Sequence, residues 1–209
     1  MTLKEYQKLA LRTMANLGDI RLDLSHMVMG LGTELSELIE SKTMVNRLEE
    51  VGDQFWYLAG YCSVRGLSLE DVKRVANTME HVNVDINIDL DAIEIPTTNI
   101  YQLKVYLNLV SNISKLQDII KKYVAYGKEI NESEELLLLA RIYDCLLSYG
   151  FIMADEMLEN LLQRNIDKLR VRYPQKFQEH LALNRNLNEE YKVLGSDYDY
   201  DKTTAYYNK

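Results

Sequence analysis

Two pairs of acids carry the most telling chemistry in this chain: Glu34-x-x-Glu37 and Glu50-x-x-Asp53, separated by residues 38 to 49. Residues three apart on a helix share a face, so each pair aims two carboxylates in one direction. Two such helices packed together bring all four acids to one point. A cluster of this kind repels itself unless a cation or protons neutralise it. Oxygen-only ligands favour a hard ion, and Mg2+ usually keeps several waters and takes substrate phosphates as further ligands. These residues point to a Mg2+-dependent enzyme acting on a phosphate compound.

Competing chemistries lack their residues. A carboxylate-bridged di-iron bundle needs Glu-x-x-His on two helices. The chain offers only Asp23-x-x-His26, and neither His81 nor His180 follows an acid by three. No glycine-rich phosphate loop, serine nucleophile motif or Cys-based metal site is present.

The elements that must position the acids read as helices. A first helix is predicted over about residues 2 to 16, with Leu3, Tyr6, Leu9 or Ala10, and Thr13 on one side. The second runs from about Asp23 to Lys42, where Met27, Leu31, Leu35 and Leu38 form the apolar stripe and Glu34 and Glu37 lie beside it, at the edge of a core. The third, about 44 to 65, places Val51, Phe55, Leu58 and Cys62 on one stripe and Glu50, Asp53 and Tyr57 on the next. Gly66 ends it, and Ser68, with Asp71 three residues on, caps a fourth helix reaching about Asn83. Residues 84 to 99 alternate Val84, Ile86, Ile88, Leu90 and then turn at Pro96, which reads as a linker because no second strand is evident to pair with it. Helices resume over about 100 to 126, 132 to 149 and 151 to 171, stop at Tyr173-Pro174, and give way to a short helix over about 175 to 193 and a loose tail over 195 to 209.

Composition agrees with an all-α helical bundle. The 209 residues include only two prolines, and the net charge is -8. That acidity argues against non-specific nucleic-acid binding, which needs a basic face. It leaves a nucleotide substrate open, since a bound metal reverses the local charge. Cys62 and Cys145 lie within apolar helical patterns and read as buried reduced thiols. The opening MTLKEYQKLALRTM is amphipathic and mixed in charge, and no apolar run nears the roughly 20 residues that span a bilayer. The expectation is a cytoplasmic protein with no membrane partner.

The two helical blocks also align with each other. VMGLGTELSELIES (28 to 41) resembles YLNLVSNISKLQDI (106 to 119), and residues 51 to 72 fall on 135 to 156. Glu34 then faces Asn112, Glu37 faces Lys115, Glu50 faces Glu134, Asp53 faces Leu137, and Gly66 meets Gly150. This predicts a helical unit over 1 to 83 that keeps the site, and a degenerate repeat within 100 to 194 that supplies scaffold. The alternative is that any two amphipathic helix pairs align about this well.

The strings GLGTELSEL, LEEVGDQFWYLAGYC and NIDKLRVRYPQKF, in that order and preceded by EYQKLALRT, resemble the MazG-like family of all-α nucleoside triphosphate pyrophosphohydrolases, whose relatives include the dimeric dUTPases. The likeness covers about residues 4 to 70 and 165 to 177. Gly52 inside the second acidic motif suggests a close packing need, since glycine costs about 1 kcal/mol relative to alanine in a helix interior. Two departures bear on the substrate more than the chemistry: the connection between the acidic pairs is short, and an additional block precedes NIDKLRVRYP.

The resemblance implies cleavage of a nucleoside triphosphate between its α- and β-phosphates, releasing a monophosphate and pyrophosphate. Glu34, Glu37, Glu50 and Asp53 would be ligands of Mg2+, with Mn2+ as a substitute, and Glu34 would take the proton of the attacking water. Lys168 and Arg172, four apart on one face, with Asn165 a turn earlier, match the closing motif and are candidates for phosphate contacts; the alternative is solvated surface pairing. Lys42 is a further candidate. Tyr57 is placed to stack on a base or ribose, whereas Trp56 reads first as core. Glu49 either backs the site or lies in solvent. Relatives assemble as dimers or larger oligomers, so a homodimer or higher homo-oligomer is expected. A pyrimidine-specific dUTPase- or dCTPase-like enzyme, and a non-catalytic metal-binding helical module, are the alternatives.

Overall fold

The computed structural model describes residues 1–79, 100–150 and 157–195 in full, and the backbone of 151–154. Within them the chain forms nine helices and no strand: α1 Leu3–Leu11, α2 Ile20–Glu40, α3 Met44–Val64, α4 Leu69–Ala76, α5 Ile100–Tyr126, α6 Glu132–Ala154, α7 Leu158–Arg172, α8 Glu179–Leu183 and α9 Leu187–Gly195. The expected all-α bundle is what the residues build. The linker read over 84 to 99 and the tail beyond 195 lie outside the described residues.

Local signals set most helix ends. Thr2 and Glu5 form a reciprocal capping box at α1, Asp19 accepts from the Arg21 amide at α2, and Thr43 accepts from Asn46 at α3. Gly66 ends α3 at φ +69°, with the Leu67 N–H donating to the Cys62 carbonyl at 2.7 Å and the Gly66 N–H to the Ser63 carbonyl at 3.1 Å. That double bond pattern needs a left-handed residue, which glycine supplies without strain. Ser68 caps α4 through the Glu70 amide. Asp71 pairs with Arg74 and does not complete a capping box.

Other boundaries moved for tertiary reasons. α1 stops at Leu11, short of residue 16, because its last turn is bonded to other elements: Trp56 Nε1 donates to Thr13 Oγ1 at 2.9 Å, and Arg12 donates to the Tyr173 carbonyl at 3.1 Å. α6 runs through Gly150 to Ala154, where a break at that glycine was expected. Gly150 is not left-handed, and a Cβ there would lie 3.4 Å from Leu161 Cδ1, an ordinary contact, so neither its backbone nor its packing requires glycine. Gly66 and Gly150, paired in the repeat alignment, are therefore not equivalent: only Gly66 is left-handed and ends its helix. The single helix expected over 175 to 193 is two, α8 and α9, and the bend at Asn184 returns Glu190 to α7.

α2 and α3 form one antiparallel hairpin, α5 and α6 another. Contacts of α2 with α5 and of α3 with α6 close a four-helix ring. α7 crosses α3 and α6, α1 packs on α3, α4 and α7, and α9 lies on α7 and α3. One continuous apolar core contains residues of α1 through α7. The expected stripes, Met27, Leu31, Leu35 and Leu38 on α2 and Val51, Phe55, Leu58 and Cys62 on α3, are all buried in it. Phe55 meets Tyr143 of α6 edge to face at 5.7 Å. Both cysteines are free and buried. No described helix is long and apolar enough to cross a membrane.

Candidate metal centre

Glu34 projects from α2 toward Glu50 and Asp53, one turn apart on α3. Each offers a carboxylate oxygen within 4.8 Å of the other two. Glu37, the fourth acid expected, is exposed a turn further along α2 and stays outside this triad, although its charge is felt at Glu34. Three of the four predicted ligands are therefore brought together.

Electrostatics show what the triad lacks. Burial, and then the charge of Asp53, push the Glu34 carboxyl up to about 7. Burial, its hydrogen bond with Glu34 and the charge of Asp53 push Glu50 up to about 9. At neutral pH without a cation, the pair holds a proton that exposed carboxylates would have lost. An all-oxygen, partly dehydrated donor set of this kind would suit a hard divalent ion such as Mg2+ or Mn2+, whose binding would require those protons to leave.

α7 supports the triad from behind. Gly52 lets α7 approach α3: a Cβ there would fall 3.1 Å from Asn165 Cβ. The close packing need read from Gly52 is thus met by Asn165. Its Nδ2 donates to Asp53 Oδ1 at 2.7 Å while its Oδ1 accepts from the Tyr6 hydroxyl at 2.9 Å. Lys168 is fully buried and donates to Asp53 and, at 3.2 Å, to Glu49. Burial alone would lower its ammonium pKa; Asp53 and Glu49 reverse this and keep it charged. Asn165 and Lys168 therefore orient one carboxylate of the triad, as the partners of a metal ligand do.

The remaining predicted residues divide. Arg172 lies against buried Glu190 of α9, with Nε 3.0 Å from Oε1. Tyr57 stays near the triad, its ring filling the space above Gly30, edge to face with His26 at 5.8 Å and with Trp56 at 4.8 Å. Burial first, then Glu34 and Asp53, raise its hydroxyl pKa. Trp56 anchors the end of α1, the structural role it was first assigned. Lys42 is exposed in the α2–α3 connection.

Three contributors escaped the sequence reading: Tyr6, Glu190 and Arg185. Tyr6 looked like one more apolar position of α1. Glu190 is one of two adjacent glutamates, and no periodicity marks which is buried. Glu49, left open between two roles, is buried against Lys168. No protein family, curated protein or solved structure matches the chain.

Proposed function

We propose that this protein hydrolyses a nucleoside triphosphate to its monophosphate and pyrophosphate with Mg2+, in the manner of the MazG-like enzymes its motifs resemble. The observation that carries this reading is the convergence of Glu34, Glu50 and Asp53 at the junction of α2 and α3, with oxygens within 4.8 Å. A bound Mg2+ neutralises charge on phosphate oxygens and polarises the scissile phosphorus.

The chain's own residues do the rest. Asp53, locked by Asn165 and Lys168, would hold the ion as its rigid ligand, with Glu50 as the second. Glu34, partly open to solvent, accepts the proton of the water that adds to the α-phosphorus as the bond to the bridging oxygen breaks and pyrophosphate departs. Tyr57, one turn from Asp53 on α3 and close enough to feel the charges of Glu34 and Asp53, offers an aromatic ring for a base or ribose. Two such chains assembling as a dimer completes the proposal, and light scattering that finds only monomer removes that part.

A second reading, a metal-dependent helical module without turnover, draws on a specific observation: Lys168 and Arg172, the cations meant for a triphosphate, are both held by acids of the chain. The test is pyrophosphate release from a panel of ribo- and deoxyribonucleoside triphosphates with Mg2+, beside the double variant Glu50→Gln, Asp53→Asn. Turnover lost in the variant supports the enzyme and reveals the base preference. Mg2+ binding without turnover on any triphosphate supports the module.

A further inference from the structure

α9 contributes one charged group to the interior, and it is an anion held the way a phosphate would be. Glu190 is 1 % exposed and accepts from Arg172 of α7 through Nε at 3.0 Å and through a second guanidinium nitrogen. Arg185, in the α8–α9 connection, donates to its Oε2 at 2.8 Å. Two guanidinium groups converging on one planar anion make the geometry that recognises carboxylate or phosphate by paired hydrogen bonds. The fork is graded toward solvent: the Arg172 side chain is 14 % exposed and that of Arg185 is 38 %. It also adjoins the acidic triad, since Arg185 lies 3.8 Å from Glu49, the residue before Glu50.

The anchor of this carboxylate is slight. α9 has nine residues and buries only Glu190 and Leu194. Arg164 of α7 also donates to the Leu194 carbonyl at 3.1 Å. A nine-residue element with two buried side chains opens locally at lower cost than the core helices.

We infer that Arg172 and Arg185 form a phosphoanhydride-binding fork beside the metal centre, and that Glu190 occupies it as an internal competitor until the pyrophosphate moiety of substrate or product takes its place. This rests on and deepens the proposed function, and it explains why Arg172, a cation expected to serve a triphosphate, is found paired with an acid. When Glu190 leaves, α9 loosens, and both guanidinium groups turn to the incoming anion.

The probe is inorganic pyrophosphate, titrated calorimetrically into the full chain in a chelator, so that the outcome does not depend on the metal centre or on turnover. Removing the competitor with Glu190→Gln is expected to tighten binding by about tenfold, and Arg185→Ala to weaken it by about tenfold in both backgrounds. A folded Glu190→Gln that binds no tighter overturns the inference, as does an Arg185→Ala without effect. Should Glu190→Gln not fold, hydrogen exchange of the unaltered protein decides. Pyrophosphate is expected to speed exchange of the α9 amides, and unchanged or slower exchange overturns the displacement. If the fork holds while no triphosphate is hydrolysed, the anion site survives and only the proposed reaction falls.

Discussion

The two hairpins of the ring each bury carboxylate charge, and they neutralise it in opposite ways. In the second, Glu135 at the start of α6 is fully buried and accepts from the Tyr61 hydroxyl at 2.6 Å and from Arg65 Nε and a second guanidinium nitrogen at 2.7 and 2.9 Å. One anion meets one cation in bidentate geometry, with a further donor on the same oxygen. In the first, Glu34, Glu50 and Asp53 crowd together, Glu49 lies behind them, and Lys168 bonds to Asp53 and Glu49, with Arg185 3.8 Å from Glu49. The Glu135 arrangement is complete within the chain, whereas the three acids of the triad outnumber the cation bonded to Asp53. A carboxylate satisfied by its own chain cements two helices, whereas the raised carboxyl groups of the triad support the cation site proposed above. The positions aligned with the triad make the same point: Asn112 is buried and donates to its own helix at Asn108, and Glu134 is exposed.

The sharpest way to break this comparison is to remove the under-neutralised charge. Asp53→Asn or Glu50→Gln is expected to reduce Mg2+-dependent pyrophosphate release on the order of 10^3-fold while the protein stays folded. Glu134→Gln, at the aligned position, should change nothing; equal losses from both would erase the distinction. Next in size is the satisfied carboxylate. Glu135→Ala leaves Arg65 and Tyr61 without their partner and should lower unfolding stability by about 3 kcal/mol in urea titration, with Mg2+ affinity unchanged.

The pH dependence follows from the triad. Glu34 and Glu50 titrate near 4.5 when unfolded and are pushed up to about 7 and about 9 in the fold. Between those values the native state binds more protons than the unfolded chain, so stability falls as pH rises. Metal-free protein is expected to lose about 2 kcal/mol from pH 5 to pH 9, allowing for solvent screening, and saturating Mg2+ should flatten that slope. A chelated protein that gains stability over this range refutes the assignment.

The smallest effects separate two glycines. Gly52→Ala pushes against Asn165 and should weaken Mg2+ binding by about tenfold through Asp53. Gly150→Ala meets Leu161 at an ordinary contact distance, so metal affinity should not move and thermal stability should change by less than about 1 kcal/mol.

Much of the fold was legible because its signals are local. Thr43 and Gly66 bound α3 through bonds to residues within a turn or so, and the buried faces of α2 and α3 follow a period that any helix obeys. Where the reading missed, a distant partner had intervened: α1 is cut short by Trp56 and Tyr173, and the predicted last helix is bent so that Glu190 reaches Arg172. The site was legible in the same degree. The spacing of Glu50 and Asp53 settles that they share a face, and the apolar stripe settles that the face borders a core.

The sequence by itself determined an all-helical chain with two acidic helices whose carboxylates flank the buried side. Helix caps and periodicity act over a few residues, and those residues are adjacent in the chain. Only the tertiary structure decided which acids meet and which cations serve them. The hydrogen bond from Lys168 to Asp53 spans 115 positions, and Glu37, exposed one turn beyond Glu34, stays outside the triad that Glu50 and Asp53 form with Glu34. Ion-pair choice depends on the distance and dehydration created when α7 crosses α3 at Gly52, and that crossing is written in no single segment.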